Sequence, residues 1–174
     1  MKKSIYPWQL TGFLVASLGG TLLHYLYDLL GNSVWIAPFS GVNESTWEHM
    51  KLLFWPAFIF AIFERLFFRE RSDFWCIKLR GTILGLALIP ILFYLYNGII
   101  GKSADWLNIA IFFISAALMY LYEAKLFISG TVRCKNSNLA FLILYAIGIL
   151  FVTLTFVPLR INIFKDPITD SFGI

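Results

Sequence analysis

Five apolar stretches, each long enough to cross a lipid bilayer, limit what this chain can fold into. A helix needs about 20 apolar residues to span the hydrocarbon core, where its backbone polar groups must be satisfied internally. Since 59% of the 174 residues are hydrophobic and only 14% are charged, a water-soluble globule could not cover its surface with polar groups. We therefore predict an all-α integral membrane bundle of about five transmembrane helices in a single domain. The predicted spans cover residues 8–30, 47–68, 74–100, 105–128 and 139–158, and a tail covers 159–174.

The positions of the basic residues predict how the bundle is oriented. Lys and Arg are retained on the cytoplasmic side of membrane proteins, and ten of the 14 lie at the N-terminus or beside the second and fourth connections. These ten are Lys2, Lys3, Arg65, Arg69, Arg71, Lys78, Arg80, Lys125, Arg133 and Lys135. We therefore predict that the N-terminus lies inside and the C-terminus outside. Because the basic residues occupy helix ends and form no single run, nucleic acid is not an expected partner.

The two cysteines, Cys76 and Cys134, are far apart in the sequence and show no CxxC spacing. That pattern indicates neither a disulfide framework nor a thiolate metal site. The predicted orientation also places both residues on the reducing side of the membrane, where disulfides are not expected. We therefore expect two free thiols.

Small residues recur at a helical spacing on two of the predicted spans. Gly81 and Gly85 have GxxxG spacing, and Gly12, Ala16 and Gly20 repeat every fourth residue. Small residues let helix backbones approach closely in lipid, where the hydrophobic drive for association is weak. These faces could pack against a neighbouring helix of the same chain or form a homo-oligomer.

Charged residues near the inner ends of the second and fourth spans are expected to lie at the membrane interface. They are Glu64, Arg65, Glu123 and Lys125. Long basic side chains can reach the headgroups, and Glu64 is expected to pair with a neighbouring basic residue.

His24 and Asp28 lie four residues apart near the outer end of the first span, so they share one helix face. A polar run from Asn43 to Lys51 then leads into the second span. Within this run, Ser45-x-x-Glu48 fits the capping box of a helix start. A capping box explains neither Glu44 nor His49, and His24 with Asp28 could equally be an interhelical latch.

The predicted orientation gathers these residues at one face, together with Asn97, Asn108 and the polar tail. The tail could fold back over this face or be a loosely ordered terminus. We predict a polar site near the extracytoplasmic face. Its candidate catalytic residues are His24, Asp28, Glu44, Glu48 and His49, and its candidate metal ligands are His24, Asp28, Glu48 and His49.

Imidazole and carboxylate groups in this combination suit a divalent metal such as Zn or Fe(II). The HExxH motif is absent, which excludes a metalloprotease of that type. A metal with an open position could activate water, and without metal a His and a carboxylate could act as base and acid. Both readings predict a membrane-embedded hydrolase or lipid-modifying enzyme that acts on a lipid-derived or small polar ligand.

Two other classes of function remain open, a transporter and a scaffold. A small-solute transporter or substrate-binding membrane subunit needs a path to the inner side, for which the candidates are Glu64, Arg65, Asn97 and Glu123. A membrane scaffold or assembly partner would use the glycine faces for packing and the polar residues as latches.

The run Asn43-Glu44-Ser45-Thr46-Trp47-Glu48-His49, with His24 upstream and Asp166-Pro167 near the end, resembles a family of small uncharacterised bacterial multi-span membrane proteins. The resemblance covers nearly the whole chain. It implies a multi-pass protein of the bacterial cytoplasmic (inner) membrane, with the lipid bilayer as its surroundings. It implies no catalytic assignment for any residue.

Overall fold

The computed structural model describes residues 4–101, 105–130 and 132–174, except the side chain of Asp105. This part of the chain contains five α-helices and a single turn of 3-10 helix at Asn162–Phe164, and no strand. The helices are α1 (Ile5–Leu29), α2 (Thr46–Arg65), α3 (Phe74–Ile100), α4 (Asp105–Ser129) and α5 (Ser137–Phe156). The predicted all-α class is therefore confirmed. Lys2 and Lys3, which contribute to the predicted orientation, lie outside the described residues, and the orientation itself stays a prediction.

Four of these helices, α1, α3, α4 and α5, are long and apolar enough to cross a membrane. Large apolar side chains such as Leu18 and Leu121 are exposed on their outer surfaces, as lipid contact requires. Helix α2 differs because it carries charged residues near both of its ends. It packs against the other four helices, and its charged residues Glu48, Lys51 and Glu64 are buried. We call the end where α1 ends and α2 begins the site end of the bundle.

The small residues on α1 and α3 face α4. A Cβ atom added at Gly12 would clash with the ring of Tyr120, and one added at Gly81 would clash with the side chain of Glu123. One added at Gly85 would come within 2.9 Å of the Met119 sulfur. The predicted close approach therefore occurs inside the bundle. Homo-oligomer formation stays a prediction.

A buried group of charged residues joins four helices at the end opposite the site. The Lys78 Nζ atom on α3 lies 2.6 Å from a Glu64 oxygen on α2 and 2.6 Å from a Glu123 oxygen on α4. Gln9 Nε2 on α1 donates to the other Glu64 oxygen at 2.9 Å. We call these four residues the Lys78 cluster. The expected pairing of Glu64 with a basic residue is confirmed, but its assignment with Glu123 to the membrane interface is wrong, because both are almost completely buried.

Cys76 and Cys134 form a disulfide, with a Cα–Cα distance of 5.9 Å. The expectation of two free thiols is therefore wrong. The fold brings the start of α3 beside the connection between α4 and α5, although the two cysteines are 58 residues apart in sequence. Because disulfides persist mainly in oxidising compartments, this bond argues against the orientation that the basic residues predict.

The tail folds back onto the start of α2. The ring of Phe164 is buried and lies 4.6 Å, centroid to centroid, from that of Trp47. Asn43 Nδ2 donates to the Gly173 carbonyl oxygen at 3.0 Å. Asp166 is buried and its Oδ1 atom accepts from the Ile168 N–H at 2.8 Å. The tail therefore covers the site end of the bundle.

Replacing Lys78 with Met is expected to lower the free energy of unfolding by roughly 3–5 kcal/mol, because two buried carboxylates lose their shared cation. Reversible unfolding in mixed detergent micelles measures this difference. Lys125→Met is the matched control, since Lys125 is exposed on α4. Equal losses in the two variants would contradict a structural role for the Lys78 cluster.

Reducing the disulfide is expected to destabilise the protein by about 4 kcal/mol, because the bond closes a long loop in the unfolded chain. The test compares unfolding with and without reductant. In the Cys76→Ser/Cys134→Ser double variant, added reductant should have no effect. A wild-type protein whose unfolding ignores reductant would contradict the bond.

Candidate metal centre

His24, Glu44 and His49 come together at the site end. The His24 Nε2 atom lies 3.6 Å from Glu44 Oε1, and the His49 Nε2 atom lies 3.6 Å from Glu44 Oε2. The two imidazole rings are 5.8 Å apart, centroid to centroid. Each residue can offer one ligand atom such that all three atoms lie within 4.8 Å of one another. One carboxylate therefore faces two imidazoles.

The local sequence explains how Glu44 and His49 meet. Ser45 is the N-cap of α2, and its Oγ atom accepts from the Glu48 N–H at 3.4 Å. Asn43 Oδ1 accepts from the Ser45 N–H at 2.9 Å and so closes a tight turn around Glu44. His49 follows one helical turn after the cap. The predicted capping box is therefore half formed, because Asn43 takes the position expected for the Glu48 carboxylate.

A hydrogen bond fixes the orientation of His49. Its Nδ1 atom lies 3.0 Å from the Ser45 carbonyl oxygen. Because a carbonyl oxygen only accepts, Nδ1 must carry the proton, and the lone pair of a neutral ring then lies on Nε2. Metal-binding histidines are commonly oriented by such a bond from their other nitrogen. The Nε2 atom lies 3.6 Å from Glu44 Oε2.

The spacing of the three groups is compatible with a metal site. At 3.6 Å, both imidazole–carboxylate distances exceed those of a charge-assisted hydrogen bond, which are about 2.7–2.9 Å. Zinc–ligand bonds of about 2.1 Å in tetrahedral geometry separate neighbouring ligand atoms by roughly 3.4 Å. The two histidine–glutamate distances are close to this separation, whereas the ligand atoms of the whole set lie within 4.8 Å of one another, so binding a cation would draw the three side chains together.

The cluster is open to its surroundings. The side chains of His49, His24 and Glu44 are 18%, 28% and 40% exposed. A cleft of about 160 Å³ reaches the two histidines from between α1, α2 and α4. Its remaining lining is mostly apolar and consists of Gly20, Thr21, Tyr25, Leu52, Ile109, Phe112 and Phe113. A ligand could therefore approach the imidazoles through an apolar entrance.

Two of the predicted site residues lie outside this cluster. Asp28 is exposed one turn beyond His24, and its Oδ1 atom accepts from Asn32 Nδ2 at 3.2 Å. Glu48 is buried, lies 2.5 Å from Lys51 Nζ, and accepts from the Val42 N–H at 3.0 Å. Of the predicted metal ligands, only His24 and His49 come together, and Glu44 supplies the carboxylate in place of Asp28 and Glu48.

Glu48 and Lys51 hold the loop that carries the site. Lys51 Nζ donates to the Ala37 carbonyl oxygen at 2.7 Å and to Thr155 Oγ1 on α5 at 3.0 Å. The pair thus ties the α1–α2 loop to both α2 and α5. Glu48 and Lys51 are three residues apart on one helix, and this spacing in the sequence already indicates that they form an ion pair.

A family model described as a family of unknown function (DUF6512) matches residues 1–174. No curated protein and no solved structure matches the chain.

Replacing Asn43 with Ala is expected to loosen the turn around Glu44, because the side chain bonds both the Ser45 N–H and the Gly173 carbonyl. Losing these bonds should lower the free energy of unfolding by roughly 1–2 kcal/mol. It should also speed amide hydrogen exchange at residues 42–46, which mass spectrometry measures. Asn162→Ala, at an exposed position in the tail, should leave that exchange unchanged. Unchanged exchange in both variants would contradict this role.

Proposed function

We propose that this chain, which belongs to a family of unknown function (DUF6512), is a membrane-embedded, metal-dependent hydrolase. His24, Glu44 and His49 bind a divalent metal of the zinc class. The metal's open position activates a water molecule against a lipid-derived substrate. The observation that carries the proposal is one carboxylate placed 3.6 Å from each of two imidazole nitrogens.

The position of the proton on His49 supports metal binding. With its proton on Nδ1, a neutral His49 presents an acceptor nitrogen to an acceptor carboxylate, and these two groups repel each other unless a cation lies between them. The cation could be a proton on Nε2, which would draw the two groups to hydrogen-bond distance. The spacing of 3.6 Å at both histidines is compatible with a metal ion bound by all three groups.

The ligand set supports hydrolytic chemistry. Two histidines and one glutamate form a ligand set of catalytic zinc sites in hydrolases, in which water occupies the fourth position. The metal lowers the pKa of that water so that hydroxide is available near neutral pH. The hydroxide oxygen adds to the ester carbon or phosphorus, the bond to the leaving oxygen breaks, and that oxygen takes up the proton that the water lost.

The cleft supports a substrate with an apolar part. Ile109, Phe112 and Phe113 line it on α4, and Tyr25 lines it on α1. Both helices are long and apolar enough to lie in lipid, so a lipid-derived molecule could enter sideways from the bilayer. Its reactive bond would then lie at the imidazoles and its chain between the helices.

The contacts of the candidate transport residues give less support to a transporter. Glu64 and Glu123 are both paired with Lys78 inside the bundle. Asn97 Nδ2 donates to the Phe93 carbonyl of its own helix at 2.9 Å. Arg65 donates to the carbonyl oxygen of Phe68 just beyond α2. These groups stabilise the fold where they are and leave the enzyme as the better-supported reading.

The proposal predicts one zinc ion for each chain after the purified protein is stripped with chelator and reloaded. His24→Ala, His49→Ala and Glu44→Gln should each weaken zinc binding at least about tenfold, because each removes a direct ligand and changes to outer-shell partners alone cost about that much. Asp28→Asn is the matched control, since Asp28 lies on the same helix outside the cluster. Elemental analysis and competition with a chromophoric chelator measure the binding.

Turnover provides the second arm of the test. Wild-type protein in lipid nanodiscs is expected to hydrolyse members of a panel of lipid esters and phosphoesters, and chelator should abolish the activity. Zinc binding that survives in all three ligand variants would place any metal elsewhere. Absence of both binding and turnover in the wild type would overturn the proposal and favour an imidazolium latch.

A further inference from the structure

We propose that Asn108 is a positioning residue that holds the reactive water of the metal site, in a small cavity on the side of His49 that faces α3 and α4. This inference rests on the proposed function, because it assigns the place of the fourth metal ligand. It adds a residue from α4 to a site otherwise built from α1, α2 and the loop between them.

The cavity adjoins two of the three proposed ligands. It holds about 10 Å³, close to the least volume that accommodates one water molecule. Its polar lining residues are Glu44, Thr46, His49 and Asn108. The rest of its wall is apolar and consists of Ile89, Phe93, Ile111 and Phe112. A water molecule there would lie beside Glu44 and His49 of the metal cluster.

Asn108 has the group that such a water needs. Its Oδ1 atom is buried, and no hydrogen-bond donor reaches it within the described part of the chain. A buried acceptor left without a donor is unfavourable, so buried oxygens of this kind are usually satisfied by protein or by ordered water. One O–H of a water in the cavity would satisfy Asn108 Oδ1.

The direction of that hydrogen bond suits a metal ligand. Because Oδ1 only accepts, the water must point a hydrogen atom at Asn108. Its oxygen lone pairs are then free to face the metal between Glu44 and His49. Thr46 Oγ1 donates to the Tyr94 hydroxyl at 3.3 Å, so the lone pairs of Thr46 remain available to the second hydrogen of the water.

His49 lines both the cavity and the substrate cleft. The cavity lies between α2, α3 and α4, and the cleft lies between α1, α2 and α4. Phe112 lines both spaces, so they adjoin each other. An apolar chain in the cleft would therefore leave the water in place beside the reactive bond.

The experiment uses the protein loaded with Co²⁺. When a water molecule is bound to the metal, the low-temperature electron paramagnetic resonance spectrum of the Co²⁺ ion broadens in ¹⁷O-enriched water. Wild-type protein should show this broadening. Asn108→Leu should still bind one Co²⁺ but lose the broadening, because the leucine removes the acceptor and fills the cavity. Asn108→Asp keeps an acceptor oxygen in place and should retain the broadening.

Asn97→Leu is the matched control, because Asn97 bonds to its own helix and does not line the cavity. It should behave as wild type. In turnover, Asn108→Leu should lower kcat by about 10–100-fold, the usual effect of losing an outer-shell partner, while KM stays near its wild-type value.

The outcomes separate this inference from the function on which it rests. Broadening that persists in Asn108→Leu overturns the water site and leaves the metal site intact. A wild-type protein that binds no Co²⁺ overturns both. If Asn108→Leu does not fold, a structure of zinc-loaded wild type decides the question: a metal-bound oxygen about 2.8 Å from Asn108 Oδ1 supports the inference, and a metal without one overturns it.

Discussion

The placement of Lys78 between Glu64 and Glu123 is the interaction on which the rest of the bundle depends. Three ionisable groups that are almost completely buried would be strongly unfavourable if any lacked its partner, so the helices that carry them must meet in one arrangement. The aromatic rings of Phe74, Tyr120 and Phe127 lie 5.4–5.8 Å from the Lys78 nitrogen and exclude water from it. In a membrane, where apolar contact discriminates poorly between helix faces, such a polar group sets helix rotation.

The same rotation sets the other end of the bundle. Helix α2 carries Glu64 near its last turn and His49 in its first, so fixing one end of the helix fixes the direction of the other. At the site end, Lys51 binds the loop before α2 and Thr155 of α5. Glu44 therefore stands on a loop held by buried polar contacts, which is how a rigid frame gives a loop residue a defined position.

Sequence patterns predicted the helices well because a membrane span requires length and apolarity, and both are visible in the sequence. They predicted pairing poorly because a polar side chain can have several possible partners, near or far in the sequence, and only the fold decides between them. His24 and Asp28 share a helix face, yet one turn of helix places Asp28 at the exposed end of α1. The polar residues around Glu48 in the sequence predict that it belongs to the site, but in the structure it pairs with Lys51, three residues away. Cys76 and Cys134 form a disulfide across 58 residues of sequence, and no local sequence pattern indicates that contact.

The disulfide has a mechanical consequence for helices α3 and α4. It joins the start of α3 to the chain just beyond α4. The Lys78 cluster links the same two helices nearby, so two cross-links hold α3 and α4 together at this end. At the far ends, Phe93 and Asn108 meet through side-chain packing around the small cavity. The site thus lies at the end of the α3–α4 pair that carries neither the disulfide nor the Lys78 cluster.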